Sequence, residues 1–167
     1  MIPYTLFVDY DGVLVDFRRG FRDATGHYPE SAHWGSSTKE SKYELVHKKK
    51  TFWANLPPMR DFDLLWGFLK NFDPHILTAY AEWDAKDSKR EKWIWNEKYT
   101  KVPPSHFHCV ARQNKKHYAV GHDGKPNVLI DDWKQNIEEW TNAGGLGILH
   151  TDAKTTIAWL KNMGFNK

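Results

Sequence analysis

Five short apolar runs, separated by amphipathic segments of helical length, constrain the fold of this chain more than any other feature. The runs are residues 4–8, 75–78, 106–110, 128–130 and 146–149. Their length and nearly continuous apolar character are typical of strands buried on both faces. The segments between them predict helices over residues 61–71, 87–99, 135–140 and 151–163. This alternation predicts an α/β fold, a Rossmann-like three-layer parallel sheet flanked by helices.

The ends of the last predicted helix carry recognisable signals. Thr151, followed by an acidic residue, is expected to cap its N-terminus, and Gly164 is expected to stop it.

Residues 16–60 interrupt the alternation. They contain no clear strand and two helical patches, over residues 16–24 and 38–53. Connections between such elements usually take about 2 to 6 residues, so this segment is long for a loop. We therefore predict a small helical cap over residues 16–60, inserted after the first strand, and a core domain formed by residues 1–15 and 61–167.

Length and charge exclude several classes of protein. The chain has 167 residues, a length that fits one core domain with a small inserted segment. Its net charge is +3 and its pI about 8.8, below the pI of about 9 that marks a dedicated nucleic-acid-binding domain, so nucleic acid is not the expected partner. The basic cluster at residues 47–50 fits either a solvated helix end or a surface that attracts an anionic substrate.

No apolar run approaches the roughly 20 residues that cross a bilayer, so no membrane association is expected. The first residues lack the basic start and the small-residue cleavage site of a signal peptide. A single cysteine, Cys109, precludes an internal disulfide. Together these features favour a cytoplasmic location.

Polar side chains follow four of the predicted strands. They are Asp9 and Asp11, followed by Gly12, after the first strand, Thr78 at the end of the second, Lys115 and Lys116 after the third, and Asp131 and Asp132 after the fourth. Because the carboxyl ends of parallel strands share one edge of the sheet, these groups are expected to converge. Crowded carboxylates repel one another unless a cation is present, and Mg²⁺ prefers oxygen ligands. A hydroxyl and an ammonium group beside them suit phosphoryl transfer.

These four groups of strand-end residues resemble the four motifs of the haloacid dehalogenase superfamily of phosphotransferases. They occur in the same order and are spread over about four-fifths of the chain. Within that superfamily, three stretches resemble the 5'(3')-deoxyribonucleotidases and their phage and bacterial relatives. They are DYDGVLVDF, FWANLPPMRDFDLLWGFL and NVLIDDWKQNIEEW.

The resemblance implies a role for each strand-end residue. Asp9 would be the nucleophile that forms an aspartyl-phosphate, and it would also bind Mg²⁺. Asp11 would act as general acid and base and would offer its backbone carbonyl to the metal. Thr78 would hold the phosphate together with a lysine, for which Lys115 is favoured over Lys116.

The same resemblance implies that Asp131 and Asp132 complete the metal site, in an order that the sequence leaves open. It also implies that aromatic residues of the cap stack on a nucleotide base. Phe17, Phe52 and Trp53 are the candidates, and the alternative for all three is a place in the core of the cap.

The expected function is that of a Mg²⁺-dependent phosphoric monoester hydrolase acting on a small molecule, most specifically a 5'(3')-deoxyribonucleotidase that hydrolyses nucleoside monophosphates, preferentially deoxy ones. One alternative keeps the chemistry but takes another small phosphoester or a phosphorylated nucleic-acid end. A second alternative is a non-catalytic binding module with the same fold. The preferred base, the 5' or 3' position, the oligomeric state and the source stay open, although the resemblance is compatible with a phage origin.

Overall fold

The structure is a computed structural model that describes residues 4–31 and 39–166, with side chains in the second range from Tyr43 onward. Thr38, where the second cap helix was predicted to begin, lies outside these residues. Five strands form one sheet: β1 Leu6–Val8, β2 His75–Ala79, β3 Phe107–Val110, β4 Val128–Asp131 and β5 Leu146–Leu149. All neighbouring strands are parallel, in the order β3-β2-β1-β4-β5. The predicted α/β sheet is therefore confirmed.

Six α-helices accompany the sheet in the described part of the chain. They are α1 Phe17–Thr25, α2 Lys39–His47, α3 Phe62–Leu69, α4 Ala85–Trp95, α5 Lys134–Asn142 and α6 Ala153–Asn162. Short 3-10 turns cover residues 70–72, 82–84, 104–106 and 112–118, and a π-helical turn covers residues 96–100. No described helix is both long enough and apolar enough to traverse a bilayer.

Alternate residues of the strands pack into two separate apolar clusters, one on each face of the sheet. Leu6 and Val8 join the larger cluster, which includes residues of α3 and α6, whereas Phe7 joins a smaller one around Trp140 of α5. Successive side chains of a strand point to opposite faces of the sheet. The middle strand, β1, therefore contributes side chains to both clusters. The sheet is thus the central layer of three.

Two local predictions need correction. Helix α6 is capped by Asp152 rather than Thr151, because the Asp152 carboxylate accepts a hydrogen bond from the amide of Thr155. The second cap helix ends at His47 rather than at residue 53, since a turn begins at Lys48 and Thr51 adopts a positive φ of 65°.

Candidate active site

The loop after β1 turns sharply, and this turn directs two carboxylates into one cleft. The amide of Asp9 donates to the carbonyl of Ile130 in β4, which extends the sheet pairing to the nucleophile candidate. The carbonyl of Tyr10 then accepts hydrogen bonds from three successive amides, at 2.8 to 3.0 Å. Gly12 has a φ of +82°, a conformation that glycine adopts without steric cost. Asp9 and Asp11 both line the cleft as a result.

Three carboxylates meet at the floor of this cleft. One oxygen each of Asp9, Asp131 and Asp132 lies within 4.8 Å of the other two. Burial raises the pKa of Asp9, and the neighbouring Asp131 raises it further. Burial and Asp131 likewise raise the pKa of Asp132 to about 6. This crowding favours a bound cation, and an all-oxygen set of donors suits a hard divalent ion.

Lys115 supplies a positive charge beside these carboxylates. It belongs to the turn after β3 and is buried, with its Nζ 2.9 Å from Oδ1 of Asp9 and 2.8 Å from Oδ2 of Asp131. Burial alone would lower the pKa of Lys115, but the two carboxylates outweigh it, and the net pKa is raised. Lys116 is exposed. Of the two candidate lysines, the structure brings Lys115 to the cleft.

Asp131 and Asp132 have different surroundings. Asp131 accepts hydrogen bonds from Lys115, from the side chain of Asn136 at 2.9 Å and from the amide of Trp133 at 2.9 Å. The Asp132 carboxylate instead packs against Gly12, so closely that a β-carbon there would lie 2.0 Å from its Oδ2. Both carboxylate oxygens of Asp131 therefore already accept hydrogen bonds from protein donors.

Lys92 is a buried lysine of the cleft that the sequence analysis did not identify. It lies on α4, and its Nζ donates to Oδ2 of Asp11 at 2.5 Å, to Oγ1 of Thr78 at 3.0 Å and to the carbonyl of Ala79 at 2.8 Å. Thr78 itself is fully buried and is not among the residues that line the cleft.

A recurring spacing could have indicated the role of α4. Ser88, Glu91, Lys92 and Trp95 follow the i, i+3, i+4, i+7 pattern of one helix face, and all four are buried. The pattern was obscured because three of these residues are polar, and polar residues normally mark the solvent side.

Glu91 uses this buried face to hold the turn at residues 51–54. Its carboxylate accepts hydrogen bonds from the amides of Thr51, Trp53 and Ala54, at 3.2, 2.9 and 3.4 Å. A buried carboxylate is stable only when such donors replace water. Helix α4 therefore contacts the turn at residues 51–54 through Glu91 and the catalytic candidates through Lys92.

Aromatic rings line much of the cleft, a cavity of about 380 Å³. The lining rings are those of Phe17, Tyr43, Trp53, Tyr80, Trp83 and Trp133. Phe17 and Trp53 stack with centroids 5.6 Å apart and planes 20° apart, and Tyr43 stacks on Trp83 at 4.9 Å and 7°. The indole N–H of Trp53 donates to Asp84 at 2.9 Å, which fixes the ring orientation. Such flat, apolar surfaces suit aromatic ligands.

Phe52 does not line the cleft, although the adjacent Trp53 does. Phe52 is buried and lines a separate cavity with residues such as Gly20 and Leu56. Of the three aromatic candidates, the structure brings Phe17 and Trp53 to the cleft and leaves Phe52 buried away from it.

Comparisons with known proteins extend these observations. No protein-family model matches the sequence. A protein of Vibrio phage KVP40 named "Putative 5'(3')-deoxyribonucleotidase" is 27% identical over 132 residues, which cover 78% of this chain and 67% of that protein.

Three solved structures are similar in fold. A hydrolase from Streptococcus pneumoniae TIGR4 has a TM-score of 0.60 at 12% identity, covering 96% of this chain and 100% of that one. A haloacid dehalogenase-like family hydrolase from Streptococcus pneumoniae has a TM-score of 0.51 at 16% identity, covering 96% and 90%. A HAD family hydrolase from Deinococcus radiodurans R1, with bound phosphate and sodium, has a TM-score of 0.54 at 12% identity, covering 98% and 90%.

These findings support the prediction of a phosphoric monoester hydrolase, and they confirm the predicted resemblance. The chain has the fold of the haloacid dehalogenase-like hydrolases, and its sequence is similar to that of a phage protein named as a deoxyribonucleotidase.

Proposed function

We propose that this protein is a Mg²⁺-dependent phosphatase that hydrolyses nucleoside monophosphates, preferentially deoxy ones, through an aspartyl-phosphate on Asp9. One observation carries the proposal. Asp9 contacts the ammonium group of Lys115 at 2.9 Å and lies close to the carboxylates of Asp131 and Asp132, in a cleft that stacked aromatic rings also line. A nucleophile, a phosphate-binding cation and a metal site are thereby combined with a surface for a base.

The charges of the cleft fit one divalent cation. Two ammonium groups, those of Lys92 and Lys115, face the four carboxylates of Asp9, Asp11, Asp131 and Asp132. Asp9, Asp132 and the backbone carbonyl of Asp11 would hold the ion. Asp131, whose oxygens already accept from protein donors, would act mainly by fixing Lys115. When bound, Mg²⁺ neutralises the carboxylates and stabilises charge on the phosphoryl oxygens.

The proposed reaction has two steps. In the first, an Asp9 oxygen attacks phosphorus, the bond from phosphorus to the ester oxygen breaks, and Asp11 protonates that oxygen, so that it leaves as an alcohol. In the second, a water molecule gives a proton to Asp11 and attacks the aspartyl-phosphate, which releases phosphate and restores Asp9. Lys115 and the Thr78 hydroxyl are the proposed phosphate-binding groups in both steps.

The aromatic wall supports a nucleotide as the substrate. Stacking of a base on an aromatic side chain contributes roughly 1 to 3 kcal/mol, and Phe17 and Trp53 present rings to the cleft that holds Asp9. The alternative of a nucleic-acid end rested on the basic run, and that run lies elsewhere. Lys48 pairs with Glu44, and Lys49 contacts the carbonyl of Ala24, at a cavity separate from the cleft.

We also propose that residues 16–60 act as a cap above a core of residues 1–15 and 61–167. The amide of Asp16 donates to the carbonyl of Pro57 at 2.8 Å, and the amide of Met59 donates to the carbonyl of Leu14 at 2.9 Å. The two ends of the segment are thus held together beside β1. Phe17 and Trp53, from opposite ends of the segment, then reach the same cleft. A cytoplasmic location stays a prediction from the sequence.

Phosphate release tests the function. The purified protein, with Mg²⁺ or with EDTA, is offered deoxynucleoside and ribonucleoside monophosphates, deoxyribose 5-phosphate and a 3'-phosphorylated oligonucleotide. We expect hydrolysis of the monophosphates that stops with EDTA and returns with added Mg²⁺. Hydrolysis of the oligonucleotide alone would favour a nucleic-acid end, and no hydrolysis of any substrate would favour a binding module.

A further inference from the structure

Lys92 lies in the cleft, but its ammonium group has no donor left for a substrate. The residue is 2% exposed, and its three N–H groups match the three acceptors on Asp11, Thr78 and Ala79. A lysine that bound phosphate directly would need at least one free donor. Its three bonds instead connect helix α4 to the carboxylate and the hydroxyl that the proposed reaction uses.

The two oxygens of Asp11 differ because of this lysine. Oδ2 accepts from Lys92, whereas Oδ1 is buried and has no hydrogen-bond partner among the described residues. A carboxyl group that exchanges a proton with a substrate needs one oxygen that no protein donor occupies. Oδ1 meets this requirement, and Oδ2 does not.

Lys92 also determines which way the Thr78 hydroxyl group donates its hydrogen bond. Because Lys92 donates to Oγ1 of Thr78, that oxygen acts as an acceptor, and its own hydrogen is free to be donated. Thr78 is fully buried and does not line the cleft, so this hydrogen can be donated to a phosphate oxygen only after the side chains that cover it move. One ammonium group therefore orients two groups that would act on different oxygens of the same substrate.

From these contacts we infer that Lys92 is a positioning residue, which holds Oδ2 of Asp11 so that Oδ1 exchanges the proton with the leaving oxygen. The inference rests on the proposed phosphatase function. As the ester bond breaks, the proton on Oδ1 moves to the departing alkoxide, and Asp11 is left as a carboxylate paired with Lys92. Oδ1 then regains a proton from the attacking water, and Lys92 stays protonated throughout.

Leaving groups that differ in their need for a proton test this role. The alkoxide of a deoxynucleoside monophosphate needs protonation, whereas the anion released from dinitrophenyl phosphate is stable without it. For Lys92→Met we expect kcat/KM to fall about 10² to 10⁴-fold with the nucleotide, the range that general acid catalysis contributes. With dinitrophenyl phosphate the expected fall is less than about 10-fold, from the weaker orientation of Thr78. The ratio kcat/KM is chosen because it reports the steps up to phosphoryl transfer.

Two controls separate positioning from folding. Lys86→Met makes the same chemical change on the exposed face of α4 and should leave both substrates unaffected. Circular dichroism and thermal melting report whether Lys92→Met is folded. If it is not, Lys92→Arg retains the charge and is compared in the same way, with the nucleotide again affected more than the aryl ester.

A double-mutant cycle of Lys92 and Asp11 provides a second test of whether Lys92 acts through Asp11. In an Asp11→Asn background the acid is already absent, so Lys92→Met should add less than about 10-fold to the loss with the nucleotide. Equal losses for the two esters, or a full additional loss in the Asp11→Asn background, would overturn the inference while leaving the phosphatase intact. A wild-type protein that hydrolyses neither ester would refute the proposed function, and the inference with it.

Discussion

The ammonium nitrogen of Lys115 lies 2.9 Å from Oδ1 of Asp9, although the two residues follow different strands of the sheet. This contact leads to a direct prediction for Asp9→Asn. The amide oxygen of asparagine still accepts from Lys115, so we expect a folded protein, but an amide cannot attack phosphorus. Phosphate release should fall by at least roughly 10³-fold, as it does when a nucleophile is removed from other enzymes.

The control for Asp9→Asn is Asp123→Asn, the same change at an exposed ion pair with Lys125. It should retain full activity. Substantial turnover by a folded Asp9→Asn protein would disprove the assignment of the nucleophile.

Gly12→Ala should weaken metal binding. The new β-carbon would lie 2.0 Å from Oδ2 of Asp132, which forces that carboxylate to move, and the positive φ adds a strain of roughly 1 to 3 kcal/mol. Gly26→Ala is a matched control, because Gly26 has nearly the same φ, +83°, with no atom within 4 Å of a new β-carbon. Mg²⁺ titration followed by tryptophan fluorescence should show weaker binding for Gly12→Ala only. Equal Mg²⁺ affinities in the two variants would argue against a ligand role for Asp132.

Phe17→Leu should raise the KM for nucleotides. Leucine retains much of the apolar volume but loses the flat ring, so the loss of stacking predicts a rise of about 5- to 100-fold. The KM for deoxyribose 5-phosphate, which has no base, should change little. Phe21→Leu is the control in the same helix, because Phe21 is fully buried and does not line the cleft. The same rise with both substrates would mean that Phe17 does not contact the base.

His75 should make the protein less stable in acid. Burial, together with His106 and His108, lowers the pKa of His75 to about 4, from the 6.5 of a free histidine. The native state therefore keeps His75 neutral while the unfolded chain takes up a proton. The stability that results is complete above about pH 6.5 and is lost as the pH falls toward 4, by on the order of 1 kcal/mol near pH 5 after allowance for partial exposure.

Urea unfolding at about pH 7.5 and pH 5 measures this loss. The loss should be smaller in His75→Gln and unchanged in His122→Gln, since His122 is exposed. An equal pH dependence in the wild-type and His75→Gln proteins would contradict the prediction.

The strand-end residues were predictable because their positions depend on local sequence. A buried strand that runs into Asp9 and Asp11 places both acids at the edge of the sheet, and a following Gly12 permits the turn. The same reasoning placed Asp131 at the end of β4. Neither inference needs knowledge of which helix packs above the site.

Lys92 and Phe52 show what such reasoning misses. Lys92 sits in a helix rich in charges, and only the packing of α4 against the cleft shows that this charge faces inward. Phe52 and Trp53 are adjacent aromatic residues, and either ring could stack on a base. The turn held by Glu91 directs one toward the cleft and the other into the cap.

By itself the sequence determined the parallel sheet and the set of acids at its edge, because apolar periodicity and strand ends are local properties. Only the tertiary structure decided between Lys115 and Lys116, between Phe52 and Trp53, and between an exposed and a buried Lys92. In each case the residue type by itself fits both alternatives. The direction of each side chain depends on contacts with segments distant in the chain, which a local pattern does not encode.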